Sequence, residues 1–436
     1  MTNNTDIKIP EMIPELERGP VWLKEKRKTS RDDYNNLPIP RRGLHLWRYT
    51  DPLKFIINRD TAQETAFGES FDVIKQEELT NLTAKHISAL ITDKAGREIE
   101  FFTSDLLPEK VVIKKLSEAV ETHSEIVNEY LYKLISSGTG KFEAQNSALW
   151  NDGVFVYIPD GITVEKPIHL LHEAGLANSV QFARTLVVVG KNAQVTIVDE
   201  YGGGAEKGSK EQSYTNAAVE IYGQQDSRTK YVMLQRQTDA SHLYLTHRGE
   251  IEQNATVLTI PLSFGGQLSK QNFGVALNGQ GADSKMYGLL FGSGRQHYDN
   301  HTLHHHKVGK TTSDIDFKVV LKDKSDSAYT GLIRIENNAK TCEAYQENRN
   351  LMLNKGCNAE TIPELEILNE DVMCSHGATI GPIDPEMVFF LKSRGINEAS
   401  AVKMIVSGFV NSTIKMVPED IKERITEYVL TRLETI

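Results

Sequence analysis

Two short segments hold most of the side chains that could carry chemistry, and the first is the histidine-rich run His297–His306. Histidine is the commonest metal ligand, and an extended strand places alternate residues on one face. His304 and His306 could therefore share a face, as could His297 and His301. This pattern leaves open a zinc or iron site, although no acidic ligand stands at a suitable spacing. The alternative is a polar strand whose imidazoles are solvated or hydrogen-bonded.

The second segment is Cys374-Ser375-His376. Its spacing places a thiolate and an imidazole on the same face of an extended chain, and both groups can ligate iron in Fe–S clusters. Two ligands do not complete a four-coordinate site. The segment therefore indicates either a site that a second chain completes, or a packed cysteine beside a hydrogen-bonded histidine. Because we find no nucleotide-binding or hydrolase motif, the chain is not expected to be an enzyme on its own.

The residues from Val154 to Met373 must position both segments, and they alternate with the period of two that is typical of β-strands. Small residues follow turn residues at quasi-regular intervals, as in Lys191-Asn192-Ala193 and Gln253-Asn254-Ala255. Similar corners that recur in this way are what a solenoid needs, because each turn stacks on the previous one. The pattern favours a parallel β-helix, and a jelly roll or sandwich is the alternative.

Helical patterns flank this β region. On the N-terminal side, Pro20 begins a charged helical run, and Glu109–Ser136 carries apolar residues at mainly helical spacing. On the C-terminal side, Asp384, Asn397 and Pro418 begin three short helices. These helices are expected either to cap the open end of the β core or to dock a partner.

We therefore predict a mainly β protein in three regions. Residues 1–140 form a helical and mixed N-terminal region, residues 141–381 form the parallel β-helix core, and residues 382–436 form a C-terminal helical region.

Composition excludes several classes of function. Lys plus Arg is 49 and Asp plus Glu is 59, which gives a formal net charge of −10 and argues against nucleic acid as a partner. No apolar run approaches the roughly 20 residues that cross a membrane, and Met1–Asn4 opens no secretory signal. Three cysteines are too few for a disulfide framework. These features predict a cytoplasmic protein.

Several motifs resemble the SufB/SufD family of iron–sulfur cluster assembly scaffolds, over nearly the whole chain. The N-terminal region has a Trp-basic-Tyr-Thr motif, the start of the β region is similar to the family, and so is the end of the core with the helix that follows. These stretches are Leu44–Pro52, Asn146–Pro159 with Val164–Ile168, Cys374–Thr379 and Phe389–Ile396. The likeness is closer to the SufD branch, since Gly377 stands where SufB proteins have a glutamate. The sulfur-accepting cysteine of SufB falls at or near Asn348.

This resemblance implies a right-handed parallel β-helix between helical ends, and a scaffold subunit of a SufBCD-type complex. It implies pairing with a SufB-like subunit, docking of a SufC-like ABC ATPase on the C-terminal helices, and a possible homodimer when the chain is isolated. His376 is expected to bind the nascent Fe–S cluster at the subunit interface, with Cys374 close by. The cluster is transient, so no tightly bound cofactor is expected on the isolated chain. The alternative function is a stand-alone metalloprotein or metalloenzyme that uses His297–His306.

Overall fold

A computed structural model describes residues 8–56, 87–94, 98–175, 177–205 and 208–434 of the chain, so the opening residues Met1–Asn4 lie outside the described residues. The described chain is a parallel β-solenoid of about 8 turns with helices at both ends, as the sequence predicted. None of its described helices is long and apolar enough to cross a membrane.

Each turn of the solenoid contributes one strand to each of two sheets. Sheet A has the order β19-β17-β15-β13-β11-β9-β7-β5-β1-β2, and sheet B has the order β18-β16-β14-β12-β10-β8-β6-β4-β3. The strands of sheet A are β1 (Ala89–Lys94), β2 (Glu98–Thr103), β5 (Ile168–Ala174), β7 (Gln194–Gly203), β9 (Arg228–Gln235), β11 (Thr256–Ser263), β13 (Asp283–Gly292), β15 (Thr312–Leu321), β17 (Cys342–Met352) and β19 (Val372–Pro382). Those of sheet B are β3 (Val112–Lys115), β4 (Asp152–Ile158), β6 (Val180–Val189), β8 (Ser213–Gly223), β10 (Ser241–Ile251), β12 (Leu268–Leu277), β14 (His297–His306), β16 (Asp326–Ile335) and β18 (Asn358–Ile367). Neighbouring strands pair in parallel except β1 with β2 and β3 with β4.

The corners of the solenoid follow the sequence pattern. Asn192 and Asn254 adopt left-handed backbone conformations, with φ of 56° and 57°. Asparagine tolerates this conformation better than most residues, so it suits the turn between stacked strands. The alanines that follow, Ala193 and Ala255, are fully buried. A small side chain at this point lets consecutive turns stack closely.

The inward side chains of successive turns form the main apolar core. Val187 and Val189 are fully buried on β6, and in the parallel register they lie beside Ile221 and Gly223 of β8. Because adjacent parallel strands keep the same side chains facing inward, each apolar residue packs on its counterpart in the next turn.

The N-terminal helices are α1 (Val21–Asn36), α2 (Leu116–Thr122), α3 (Ser124–Tyr130) and α4 (Lys141–Leu149). They pack on the outer face of sheet B, where Leu23 and Trp150 join a cluster with Phe155 and Leu186. The helical run expected over Glu109–Ser136 is wrong at its start, because the β-branched pair Val112-Ile113 forms β3 along β4. The helix is also interrupted at His123, whose φ is −129°.

The three predicted C-terminal helices are present as α5 (Pro385–Lys392), α6 (Glu398–Ile414) and α7 (Glu419–Leu433). Asp384 caps α5 by accepting a hydrogen bond from the Glu386 amide, and Asn397 caps α6 through the Ser400 amide. Helices α6 and α7 cover the outer face of sheet A, where Val406 and Ile425 pack in a cluster with strand residues. They therefore lie along a sheet rather than over its open end.

The three-region division with boundaries at 140 and 381 stays a prediction. Strand β1 already belongs to sheet A, because it pairs in parallel with β5. Helix α4 follows the first boundary and precedes the parallel strands of the predicted core.

Candidate functional site at the open end of the solenoid

The last turn of the solenoid leaves both sheets with an unpaired edge. Within the described residues, β19 pairs only with β17, and β18 pairs only with β16. Large apolar side chains are exposed around this open end, namely Tyr345, Ile367, Leu368, Met373 and Ile380. An unpaired edge with exposed apolar side chains favours pairing with another chain.

His376 stands at an inward position of this last turn. The parallel register aligns it with Gln346 of β17 and Ile315 of β15, both of which are buried inside the solenoid. His376 itself is exposed. No described strand follows β19 in sheet A, so the imidazole lies uncovered at the end of a stack of interior side chains.

Cys374 occupies the preceding inward position and is more enclosed. It aligns with Ala344 of β17, and it packs against a small buried cluster that includes Ile333 and Cys342. Burial is the largest cause that raises the pKa of the Cys374 thiol, and the nearby Cys342 raises it further. A raised pKa keeps the thiol protonated and makes it a weaker nucleophile and ligand than an ordinary surface cysteine.

Cys374 and His376 therefore offer two iron-compatible donors at a free edge. In the part of the chain that the structure describes, no group of three or more His, Cys, Asp and Glu side chains is arranged to hold a metal ion. A thiol and an imidazole suit an Fe–S cluster as cargo, but further ligands would have to come from elsewhere. The geometry fits a site that is shared between chains.

Asn348, at or near which the resemblance placed the sulfur-accepting position of SufB, makes hydrogen bonds within sheet A. It lies buried inside β17, its Nδ2 donates to the Phe317 carbonyl at 2.8 Å, and its Oδ1 accepts from Asn350 Nδ2 at 2.7 Å. Asn350 in turn donates to the Thr379 carbonyl of β19 at 3.0 Å. The two asparagines thus connect three consecutive strands of sheet A at the open end.

The inward histidines of β14 are buried and hydrogen-bonded to hydroxyl groups. His304 Nε2 lies 3.0 Å from Ser284 Oγ, and the two ring nitrogens of His306 lie 2.7 Å from Thr311 Oγ1 and 2.8 Å from Ser313 Oγ. Burial lowers the pKa of His304 to about 3 and that of His306 to about 4. Both imidazoles are therefore neutral at physiological pH.

The other histidines of the run lie on the outer side of β14 and have separate partners. His297 Nε2 lies 3.2 Å from Thr50 Oγ1, His301 Nε2 lies 2.8 Å from Asp299 Oδ1, and His305 Nε2 lies 2.7 Å from Glu336 Oε1. As the spacing predicted, His304 and His306 share one face. The side chains of the run do not converge on one point, so the arrangement gives no support to the alternative metal site.

A buried charged cluster inside the first turns was not predicted from the sequence. His172 Nδ1 lies 2.9 Å from Asp93 Oδ2, its Nε2 lies 3.0 Å from Asp199 Oδ1, and Tyr231 donates to Asp199 at 2.6 Å. Burial by itself would lower the pKa of His172, but Asp199 and Asp93 raise it to about 10. The period-two pattern of β5 could have placed His172 inside, but not its two carboxylate partners from other strands.

Helix α5 is the second exposed apolar feature near the open end. It has no buried residue, and Met387, Phe389 and Phe390 are exposed on it. The Arg394 guanidinium lies 3.5 Å from the ring centroid of Phe390. Exposed aromatic side chains on a short helix are typical of a protein-binding surface.

Comparison with known families identifies this class of solenoid. The family model described as the SUF system FeS cluster assembly, SufBD core domain, matches residues 171–409, and the SufBD protein N-terminal region matches residues 16–170. The chain therefore belongs to the SufBD family of the SUF system for iron–sulfur cluster assembly.

Similar curated proteins agree with this family. The iron–sulfur cluster assembly protein SufB of Bacillus subtilis (strain 168) is 27% identical over 423 residues, which cover 94% of this chain and 89% of that protein. Iron–sulfur cluster assembly SufBD family proteins of Staphylococcus saprophyticus and Staphylococcus epidermidis are each 25% identical, over 93% of this chain and 88% of their own lengths. One of these relatives is named SufB and the other two are named only as SufBD family proteins, so the SufD-like branch stays a prediction.

Proposed function

We propose that this chain is the SufD-like scaffold subunit of an iron–sulfur cluster assembly complex. In this proposal it pairs with a SufB-like subunit through β18 and β19, and the nascent cluster is cargo that forms at the shared edge. His376 binds iron or moves a proton there, because an imidazole near neutral pH can do either. Cys374 has a secondary role, since its thiol is partly enclosed.

One observation carries the proposal. His376 lies exposed at the end of a stack of buried interior side chains, on a strand whose outer edge has no partner within the described residues. A histidine at this position contributes little to the core, yet it faces whatever chain completes the edge. Incomplete ligation by each subunit also suits a cluster that must be released to a recipient.

Two residues support the SufD-like branch. Gly377 follows His376, and it offers no carboxylate at the position where SufB-like sequences have one. Asn348 offers no thiol, and its amide is hydrogen-bonded within the sheet. We infer that the SufB-like subunit receives the sulfur and that this chain supplies the opposite side of the site.

The exposed helix α5 supports docking of the SufC-like ATPase in the C-terminal region. Helices α6 and α7 are packed on sheet A, whereas α5 has no buried residue and carries Phe389, which is more exposed than Met404 on α6 or Leu430 on α7. In this proposal the chain performs no catalysis itself, and ATP hydrolysis on the SufC-like subunit opens the shared edge. The three free cysteines are consistent with action in the cytoplasm.

Cluster yield in the assembled complex tests the proposal. We expect His376→Ala to reduce anaerobic cluster assembly several-fold in the complex with the SufB-like and SufC-like subunits, measured by visible absorbance and bound iron. Because His376 is exposed, its replacement should change the free energy of unfolding by no more than about 0.5 kcal/mol. Cys374→Ser should have a milder effect, and Ser375→Ala on the same strand is the control. Wild-type rate and yield in the His376→Ala complex would reject the site.

A further inference from the structure

A cavity of about 390 Å³ lies on the outer face of sheet B and reaches Glu364 of β18, but neither Cys374 nor His376 lines it. Strands β10, β12, β14 and β16 form its floor, and the segments around Trp47 and Phe142 form its walls. Trp47, Phe142 and Tyr244 make an aromatic surface there, with ring centroids 5.0 to 5.7 Å apart. Cavities of this size with aromatic walls and a few polar groups are typical of small-molecule sites.

Arg248 supplies a fixed cation to this cavity. Its Nη1 donates to the carbonyls of His247 at 2.8 Å and Asn272 at 2.9 Å, which uses both hydrogens of that nitrogen. Gly274 makes room for the guanidinium, since a Cβ there would lie 3.1 Å from Arg248 Cδ and 3.3 Å from Nε. Among the described residues Arg248 has no ion pair. Its Nε and Nη2 form the edge that binds a carboxylate with two parallel hydrogen bonds.

Glu143 supplies an anion to the same cavity. Its Oε1 accepts hydrogen bonds from Tyr244 Oη and Thr246 Oγ1, both at 2.7 Å. Within the part of the chain that is described, Oε2 accepts no hydrogen bond and the carboxylate forms no ion pair. Oε2 lies beside Gly140, which also lines the cavity, so this oxygen can accept a hydrogen bond from a ligand there.

The remaining charged groups of the cavity are already engaged. Lys270 Nζ contacts Asp299 at 2.8 Å, and His45 contacts Glu364 at 3.1 Å. Lys141 Nζ donates to the backbone carbonyls of Tyr34 and Leu37. Arg248 and Glu143 are therefore the two opposite charges that the cavity offers to a ligand beside its aromatic wall.

We propose that this cavity binds a small zwitterion with an apolar body, of the amino-acid class. The ligand carboxylate pairs with Arg248 Nε and Nη2, its ammonium donates to Glu143 Oε2, and its apolar part packs on Trp47, Phe142 and Tyr244. Burial lowers the pKa of Arg248, although the nearby Glu143 and Tyr244 raise it, and a bound carboxylate would offset the cost of burying the guanidinium charge. The inference is independent of the scaffold function.

Calorimetric titration of the full-length chain tests this site. Each standard L-amino acid and its β- and γ-amino homologues would be added separately, and the best binder compared with two analogues that lack its amine or its carboxylate. We expect at least one amino acid to bind with a dissociation constant below about 10 mM. Both of its analogues should bind at least about tenfold more weakly. The analogues need no mutation, so this comparison does not depend on the folding of a variant.

Variants locate the site on the protein. Arg248→Lys keeps the charge but loses the two-bond geometry, and we expect it to weaken binding about tenfold. Arg334→Lys on β16 is the matched control, because Arg334 pairs with Glu336 and Glu366 and does not line the cavity. Three results would each overturn the proposal: no amino acid binds, both analogues bind as well as the parent, or Arg248→Lys binds with wild-type affinity.

Discussion

The open end of the solenoid shows how single residues mark a site. Near the last turn, the inward positions of β17 are held by the amides Gln346, Asn348 and Asn350, all of which are buried. Polar side chains are tolerated inside a protein when their hydrogen bonds are satisfied, and Asn348 bonds both to the backbone of β15 and to Asn350. These amides hold the last strand in register and so position His376.

We expect Asn348→Ala to be destabilising although the residue has no assigned chemical role. The substitution leaves the Phe317 carbonyl and the Asn350 amide without this partner, and the loss should be about 1–2 kcal/mol in the free energy of unfolding. Urea denaturation of the isolated chain measures it. Ser375→Ala changes an exposed side chain on the neighbouring strand and should leave the midpoint unchanged. Equal midpoints for wild type and Asn348→Ala would contradict the structural role of this amide.

The buried histidines of β14 should make the fold sensitive to acid. The pKa of His304 is lowered from 6.5 to about 3, so below pH 6.5 the unfolded chain binds a proton that the folded chain does not. The stability contributed by neutral His304 is therefore present above pH 6.5 and is lost as pH falls towards 3. The expected slope is about 1.4 kcal/mol per pH unit for this one histidine.

Urea denaturation from pH 7 into the acid range measures how the free energy of unfolding depends on pH. Comparison of the wild type with variants isolates the part that is due to His304. His304→Gln can still reach Ser284, but it does not titrate, so its unfolding free energy should fall less steeply with acid than that of the wild type. Thr312→Ala, which changes an exposed side chain without a titrating group, is the control and should keep the wild-type slope. Identical slopes in His304→Gln and wild type would show that His304 titrates normally in the folded chain.

At the scale of elements, the sequence predicted the strands and helices that follow from local residue patterns. Alternation and small residues after turns predicted the parallel solenoid, and capping residues such as Asp384 predicted the C-terminal helices. The sequence did not predict β3, because Val112-Ile113 fits a helical stripe as well as a strand, and pairing with β4 decides between them. It also did not predict α4, whose residues are all buried and so show no amphipathic stripe.

The candidate site was predictable only where it depends on local residue spacing. The Cys-x-His spacing indicated a shared face for Cys374 and His376, and their register with Ala344 and Gln346 confirms it. His376 is exposed because no strand among the described residues covers β19, which is a property of the fold and not of local sequence. The cavity beside Arg248 depends on contacts between Phe142, Tyr244 and Trp47, which are far apart in the chain.

The C-terminal helices should separate into a binding helix and a structural pair. Phe389 on α5 is 72% exposed, so Phe389→Ser should abolish binding of the SufC-like ATPase and leave thermal stability unchanged. Ile425 on α7 is fully buried against sheet A, so Ile425→Ser should lower the melting temperature. Co-purification and thermal denaturation of the two variants measure these effects. Retained ATPase binding in Phe389→Ser would place the docking surface outside α5.

At the scale of the whole molecule, the two ends of the solenoid are closed to different degrees. At the N-terminal end the parallel strands are followed by the antiparallel neighbours β2 and β3, and helices pack over sheet B. At the C-terminal end both sheets stop with unpaired edges, as far as the structure describes the chain. Because the C-terminal end is the more open of the two, a second chain is expected to associate at that end. Association through one end of each chain gives a pair rather than a filament.

The isolated chain should therefore form a homodimer through its open end when the SufB-like subunit is absent. Ile380 on β19 is 48% exposed, and Ile380→Lys places a charge on the free edge, which disfavours strand pairing. Light scattering coupled to gel filtration should show a dimer for the wild type and a monomer for Ile380→Lys. Met404→Lys on α6 replaces a side chain that is 53% exposed away from this edge, and it should remain dimeric. A wild type that is monomeric at micromolar concentration, or a dimer that persists in Ile380→Lys, would show that the open end does not pair with a second copy.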